Sequence, residues 1–296
     1  MITNTIYEDG FGENLKFIIY SMLYSEYIDK EFHYTPLDDI VQHNYNNDPT
    51  FIDTKEKLIN IANNYPIAKN NINYFRPDRF LLLNFFENNV DFCLESNTLK
   101  KLKTFFKEVN KNKFDKSFFN IAIHIRRMNT LDKENNINYE QIPGTDVPNE
   151  LYKDIILQLK KYYKNSKIHI YSQGDKTSFD FEEDIILHLN ESVEDTFIDF
   201  VFADILLVAP SAFSYSAALL TDNIIYYLNS CHKPLPGWNI IQNYISTHDR
   251  YEFFIKTSPF NKYKVYYDTK LGRFYKENSK NKIEYIDIFK ELNSSM

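Results

Sequence analysis

The second half of the chain predicts a doubly wound α/β domain. Short apolar segments rich in Ile, Leu and Val alternate there with segments whose apolar residues recur at helical spacing. The segment Phe118–Ile125 reads FFNIAIHI, a nearly continuous apolar run that is typical of a strand buried on both faces. Because strands that alternate with helices are joined by right-handed crossovers, we expect a parallel sheet that binds ligands at the carboxyl ends of its strands.

The other elements of this half continue the alternation. In Pro148–Tyr163 the residues Leu151, Ile155 and Leu159 recur at helical spacing, and Ser192 is a suitable N-cap for the next helix. A third helix is predicted at Ser211–Leu220. The predicted strands that separate these helices are Lys167–Ser172, Asp184–Leu189, Ile205–Val208 and Ile224–Leu228.

The first half predicts a second α/β domain, with helices at Leu15–Tyr27, Lys55–Ala62 and Leu99–Val109. The polar stretch Glu108–Lys116 is rich in Asn and Lys and is the best candidate for a linker. We therefore divide the chain into domains at residues 1–113 and 114–240, followed by an extension at 241–296 that packs back on the core. The tail Ile283–Leu292 is predicted to form an amphipathic helix.

Length, charge and cysteine content exclude several classes of protein. The chain has 296 residues and a formal net charge of −7, which argues against a protein that binds nucleic acid or an anionic membrane surface. Two cysteines, Cys93 and Cys231, cannot form a disulfide framework and favour a reducing compartment. No signal peptide is recognisable, and no apolar run approaches the ~20 residues of a membrane span. We expect a soluble, cytoplasmic protein.

Two arginines follow the first predicted strand of the second half, in the segment IHIRR. Arg126 and Arg127 would point into the ligand crevice, and a guanidinium fork binds phosphate oxygens bidentately. The alternative is that both side chains are solvated at a strand end. His124, in the same segment, is by itself typical of a hydrogen-bonded core histidine.

Two further polar segments leave the carboxyl ends of strands. In Tyr171–Asp175 (YSQGD), Gly174 permits a tight turn, and Gln173 or Asp175 can bind a ribose or a base. In Ala209–Tyr215 (APSAFSY), the hydroxyl groups and backbone N–H groups at the start of a helix suit an anion. A polar turn and an ordinary Ser N-cap are the respective alternatives. Together with the arginines, these segments predict one crevice for a phosphate-bearing ligand.

The order of these motifs resembles the fucosyltransferase superfamily of GT-B fold, which includes α1,2-, α1,6- and protein O-fucosyltransferases. The similar segments are IHIRR, the later SAFS and AALL, and the N-terminal loop Gly10-Phe11-Gly12-Glu13-Asn14. They cover Gly10–Tyr27 and most of Ile121–Tyr227. The resemblance implies two Rossmann-like domains that face a cleft, with the acceptor side in residues 1–113 and the nucleotide-sugar side in residues 114–240.

The resemblance also implies an activity and its residues. The chain would be an inverting glycosyltransferase of glycan biosynthesis that moves fucose from GDP-fucose to a glycan or protein acceptor, with no metal or other cofactor. No strict Asp-x-Asp triplet occurs in the sequence, in agreement with metal independence. Arg126 would contact the diphosphate and stabilise the departing GDP, and Arg127 would support it or orient the sugar. The residues implied for donor binding are His124, Arg126, Arg127, Gln173, Asp175, Ser211, Phe213 and Ser214, and those of the cleft loop are Gly10, Gly12 and Asn14.

The residues after the arginines depart from the family pattern. Family members often have R-R-G-D or R-R-T-D, whereas Met128 and Asn129 stand here. In the α1,6 branch a Glu slightly further along is thought to act as the base, so Glu134 is the candidate base and Asp132 the reserve. A solvated loop is the alternative for this segment. Two other functions stay open: transfer from a different nucleotide sugar, and non-catalytic binding of a nucleotide or sugar on the same fold.

Overall fold

The computed structural model describes residues 1–44, 47–127, 147, 149–228, 232–247, 250–256, 262–268, 273–277 and 283–285. Within these residues the helices are α1 (Phe11–Tyr27), α2 (Phe51–Ile59), α3 (Arg79–Asn88), α4 (Val90–Glu95), α5 (Asn97–Val109), α6 (Asn149–Tyr162), α7 (Val193–Phe202) and α8 (Ala212–Leu220). The strands are β1 (Ile2–Thr3), β2 (Phe32–His33), β3 (Phe119–His124), β4 (Ser166–Ser172), β5 (Ile186–Leu189), β6 (Ile205–Val208), β7 (Ile224–Leu228), β8 (Asn239–Thr247), β9 (Arg250–Lys256), β10 (Lys262–Asp268), β11 (Arg273–Glu277) and β12 (Ile283–Tyr285).

The chain divides into two compact units. The first unit contains Met1–Lys113, Val193–Phe202 and Ala212–Asp222. The second contains Phe114–Ser192, Ala203–Ser211 and the chain from Asn223 onward. Helices α7 and α8 therefore alternate in sequence with the strands of the second unit but cluster with the first.

The first unit is mainly helical. Its described sheet pairs β1 with β2 in parallel, and each strand has two residues. Other extended segments lie beside them as isolated bridges, Ile2 with Phe75 and Tyr34 with Ile67. The doubly wound sheet predicted for this half is therefore not present among its described residues, because most of its apolar residues recur at helical rather than strand spacing. The predicted helices are confirmed as α1, α2 and α5.

The second unit is built on one ten-stranded sheet in the order β12-β11-β10-β9-β8-β7-β6-β3-β4-β5. β3 pairs in parallel with β4 and β6, β4 pairs with β5, and β6 pairs with β7, as the alternation of strands and helices predicts. β8 adds a further parallel strand beside β7. One face of the parallel part forms a core with α6, where Leu151, Ile155 and Leu159 are fully buried with Ile123 and Ile170. The mixed α/β class and the five strands of the second half are confirmed.

The C-terminal part of the sheet was not predicted. Strands β8 to β12 form an antiparallel meander that continues the sheet from β7. The predicted helix at Ile283–Leu292 is wrong for Ile283–Tyr285, which pair with β11 so that Tyr285 lies opposite Tyr275. A partner strand supplies backbone hydrogen bonds that local helical spacing does not reveal. The rest of that predicted helix lies outside the described residues.

No helix in the described part of the chain is long and apolar enough to cross a membrane.

Candidate functional site

The order of the parallel strands defines the place of a ligand crevice. β3 lies between β4 and β6, so the chain proceeds outward in one direction through β4 and β5 and in the other through β6 and β7. In doubly wound sheets, ligands bind outside the carboxyl ends of the strands at this point of reversal. Here the reversal falls between the end of β3 at His124 and the end of β6 at Val208.

Arg126 lies at this reversal point. The strand ladder continues one residue past β3, because the N–H of Ile125 donates to the carbonyl of Tyr171 at 3.0 Å. The Arg126 guanidinium then donates from Nη1 to the carbonyl of Pro210 at 3.3 Å. Pro210 and Ser211 form the turn that follows β6. The structure therefore brings Arg126 and Ser211, two predicted donor-site residues, to the same edge of the sheet.

Arg127 has a different environment. Its Nη1 donates to the carbonyls of Val147 and Arg126 at 2.8 and 3.0 Å, and its Nη2 donates to Oδ1 of Asn149 at 2.5 Å. The guanidinium also lies 5.9 Å from the centre of the buried Phe179 ring. These contacts join the end of β3 to the start of α6.

The turn after β4 carries two more predicted residues, Gln173 and Asp175, and both are exposed. Gly174 has a φ of +121°, which favours glycine, and the side-chain amide of Asn190 clamps its N–H and carbonyl at 2.9 Å each. Oδ1 of Asp175 accepts from the N–H and hydroxyl of Thr177 at 2.8 and 2.7 Å. Both bonds lower the pKa of Asp175, and the bond from the Thr177 N–H has the larger effect. A fixed carboxylate therefore lies at this turn.

His124 is neutral at pH 7. Burial, and secondly the positive charge of Arg126, lower the pKa of His124 to about 3. It lies on the opposite face of β3 from Ile123, away from the core formed with α6. With this ring neutral, the guanidinium groups of Arg126 and Arg127 supply the positive charge that follows β3.

A second histidine, which the sequence did not single out, belongs to a polar chain across β4 and β5. Nδ1 of His169 lies 3.0 Å from Nε2 of His188, whose Nδ1 lies 2.7 Å from Oε1 of Glu191. Burial, then the charges of His188 and Lys167, lower the pKa of His169 to about 4. Side chains two residues apart on a strand lie on one face, so His169 shares a face with Tyr171. The strand register that puts His188 opposite Tyr171, and so on the same face, is set by tertiary structure.

Acidification is expected to destabilise the fold between pH 7.5 and 5.5. In the unfolded chain His124 and His169 take up protons near the ordinary pKa of about 6.5, whereas in the folded chain they do so near 3 and 4. The unfolded state therefore binds more protons in this range, and stability falls as the pH falls. Urea unfolding across the range measures this loss. The His124→Gln variant should show a shallower slope, and a slope equal to that of the wild type would contradict the assignment.

The predicted cleft-loop residues lie in the first unit and hold its N-terminal loop. Asn14 is fully buried, and its side-chain amide accepts from the N–H of Tyr7 at 2.8 Å and donates to the carbonyls of Tyr7, Asp9 and Gly10 at 3.0–3.2 Å. The buried Gly12 accepts a 2.6 Å hydrogen bond from the hydroxyl of Ser216 at its carbonyl oxygen. Gly10 is the N-cap of α1.

Two predicted donor-site residues, Phe213 and Ser214, also belong to the first unit. The Phe213 ring packs at 5.4–6.4 Å from the rings of Phe11, Phe197 and Phe200, and Ser214 is fully buried. Both residues thus take part in the packing of α8 within this unit. The candidate bases Asp132 and Glu134 lie outside the described residues, as do Met128 and Asn129.

Two residues that sequence reasoning did not identify organise the site in the second unit. Asn149 connects Arg127 to the turn after β4, and Asn190 clamps Gly174. Because Asn is abundant in this chain, neither residue could be singled out from the sequence. The described residues contain no group of three or more His, Cys, Asp or Glu side chains arranged to hold a metal ion.

Comparisons with known proteins return structures and no sequence relatives. No protein-family model matches the chain, and no curated protein matches it. Among solved structures it is similar to the fucosyltransferase NodZ from Bradyrhizobium, at 14% identity and a TM-score of 0.37, covering 74% of this chain and 93% of that one. It is also similar to a NodZ α1,6-fucosyltransferase soaked with GDP-fucose, at 12% identity and a TM-score of 0.34, covering 74% and 92%. At these TM-scores the likeness by itself assigns no function to this chain.

Proposed function

We propose that this chain is a metal-independent, inverting glycosyltransferase, with GDP-fucose as the first donor to test and a glycan or protein as acceptor. One observation carries the proposal: Arg126 stands at the reversal point of a parallel sheet, where its guanidinium is held against the Pro210 carbonyl beside Ser211. The order of the IHIRR, YSQGD and SAFS segments along the chain supports the fucosyl donor.

The chemistry of these groups suits a nucleoside diphosphate. A departing diphosphate develops negative charge, which a fixed guanidinium neutralises through charge-assisted hydrogen bonds. The ionised Asp175 repels phosphate but accepts hydrogen bonds from ribose hydroxyls or from the N–H groups of a base. Arg126 would thus hold the diphosphate and the turn at Asp175 the nucleoside. In this proposal the acceptor hydroxyl attacks the anomeric carbon directly, with Glu134 or Asp132 as its base.

A donor-binding panel tests the proposal. Calorimetric titration with GDP, UDP, GDP-fucose and GDP-mannose in the presence of EDTA should show micromolar binding of GDP and of GDP-fucose. The physical reason is that the Arg126 guanidinium supplies a fixed positive charge for the diphosphate through charge-assisted hydrogen bonds. A protein that binds none of the four nucleotides would refute the donor assignment.

The second candidate is a non-catalytic nucleotide- or sugar-binding protein on the same fold. The observation that favours it is the replacement of the acidic residue expected just after the arginines by Met128-Asn129. Donor hydrolysis separates the two functions. The transferase should hydrolyse GDP-fucose slowly and lose this turnover, but not donor binding, when Asp132 and Glu134 are both changed to Ala. A binding protein has no turnover to lose.

A further inference from the structure

The side-chain amide of Asn149 joins the end of β3 to the turn after β4. In the proposed function the first of these holds the diphosphate and the second holds the nucleoside. Asn149 is the first residue of α6. Its Oδ1 accepts the 2.5 Å hydrogen bond from Nη2 of Arg127, and its Nδ2 donates to the carbonyl of Ser178 at 2.7 Å. Arg127 follows the diphosphate candidate Arg126, and Ser178 ends the short 3₁₀ turn that follows Asp175.

We infer that Asn149 is a positioning residue that sets the turn carrying Asp175 relative to Arg126, and so aligns the nucleoside and diphosphate subsites. The inference rests on the proposed function. Asn149 itself touches neither subsite, so its effect is transmitted through Arg127 on one side and Ser178 on the other.

Contacts around the turn show how the position of Ser178 reaches Asp175. The N–H of Ser178 donates to the carbonyl of Asp175 at 2.9 Å, while Oδ1 of Asp175 accepts from Thr177. The turn is therefore a closed hydrogen-bonded loop. The amide of Asn149 holds its last carbonyl, and Asn190 holds its first residue, Gly174. A loop held at both ends presents Asp175 in one place.

The contacts that link Asn149 to the end of β3 pass through Arg127. Arg127 reaches the carbonyl of Val147 with Nη1 and Asn149 with Nη2, so its guanidinium plane is fixed by two acceptors from the start of α6. The same Nη1 donates to the carbonyl of Arg126. The backbone that carries the Arg126 side chain is thereby tied to the amide that holds the Asp175 turn.

An amide is required because the two contacts have opposite polarity. Oδ1 must accept from a cation, whereas Nδ2 must donate to a carbonyl. Asn149→Asp keeps the acceptor for Arg127 but places a carboxylate oxygen against the Ser178 carbonyl, where no hydrogen bond can form. This variant therefore breaks the link to the turn and keeps the link to Arg127.

The test compares GDP with inorganic pyrophosphate as ligands of the wild type and of Asn149→Asp, with pyrophosphate measured by competition against GDP. We expect the variant to bind GDP about tenfold more weakly, since it loses one hydrogen bond and gains a repulsion. Pyrophosphate binding should change less than about twofold, because Arg126 remains in place. The measurements are made well below the thermal unfolding midpoint of each protein.

Asn165→Asp is the matched control, because it adds the same negative charge as Asn149→Asp. Asn165 donates from Nδ2 to the carbonyl of Ser117 at 3.0 Å, the same kind of bond in the same unit, but at the amino ends of the strands. It should leave both affinities unchanged. Should Asn149→Asp fail to fold, Asn149→Ala, which adds no charge beside Ser178, replaces it with the same expected loss of GDP affinity.

The outcomes separate the inference from the proposed function. Unchanged GDP affinity in the variant, or equal weakening of GDP and pyrophosphate, overturns the positioning role while the donor assignment stands. A wild type that binds GDP but not pyrophosphate overturns the division into two subsites. A wild type that binds neither ligand overturns the proposed function and the inference with it.

Discussion

Arg126→Ala is expected to weaken GDP binding about 100-fold or more. A hydrogen bond between charged groups is worth about 1.5–3 kcal/mol, and a bidentate contact to a diphosphate provides two. Each 1.4 kcal/mol corresponds to about a tenfold change in the dissociation constant. The loss should be this large because the guanidinium stands at the reversal point of the sheet, held against the carbonyl of Pro210.

Arg126→Lys tests geometry as well as charge. A lysine keeps the positive charge but has no planar fork, so it cannot bind the Pro210 carbonyl and a diphosphate with the same directionality. We expect it to weaken GDP binding about tenfold, between the wild type and the alanine variant. Titration calorimetry on the three proteins gives the ranking.

Arg76→Ala serves as the control for the loss of an arginine. Arg76 is exposed in the first unit, and its removal changes the net charge by the same amount as Arg126→Ala. Its effect on GDP affinity should stay below about twofold, as expected for a charge that solvent and salt screen. Equal losses of GDP affinity in Arg126→Ala and Arg76→Ala would show that only net charge matters. That result would refute a specific diphosphate site at Arg126.

Gly12→Ala is expected to destabilise the protein by about 3 kcal/mol, despite the better helix propensity of alanine. An added Cβ would lie 2.4 Å from the Cα atom of Phe213 and 2.5 Å from its backbone N. Both atoms belong to the backbone of α8, which cannot move aside as the end of a flexible side chain can. Helices α1 and α8 must separate locally, and the packing of Phe11 with Phe213 is lost in part.

Urea unfolding of Gly12→Ala beside Ser216→Ala distinguishes close packing from hydrogen bonding. Ser216→Ala removes the 2.6 Å bond to the Gly12 carbonyl without adding an atom, and should cost about 1 kcal/mol. If Gly12→Ala were as stable as the wild type, the close approach of α1 and α8 would be incorrect.

The strands β3 to β7 of the second unit were predictable because their signal is local. Ile121 and Ile123 lie in a nearly continuous apolar run, and such runs form strands wherever both faces are covered. The same reasoning placed Arg126 at a strand end. It could not separate the roles of Arg126 and Arg127, because the direction of each side chain depends on Pro210 in one case and on Val147 and Asn149 in the other.

The C-terminal strands and the roles of residues in the polar loops could not be predicted from local sequence patterns. Ile283–Tyr285 forms a strand because β11 lies beside it, and no spacing within the segment contains that information. Asn149 and Asn190 were indistinguishable from the many other Asn residues until their amides were seen to bridge Arg127 with Ser178 and to clamp Gly174. An amide becomes important through its two partners, and these partners lie far away in sequence.

The amino-acid sequence alone determined the parallel α/β class of residues 118–228, the carboxyl ends of the strands β3 to β7 and the residue types that lie there. These properties follow from apolar periodicity and turn chemistry, which act over a few residues. Tertiary structure alone decided the reversal of strand order beside Arg126, the close packing of α8 on Gly12 and the antiparallel continuation of the sheet. Each of these depends on backbone groups distant in sequence, whose pairing is selected by packing and hydrogen bonding across the whole fold.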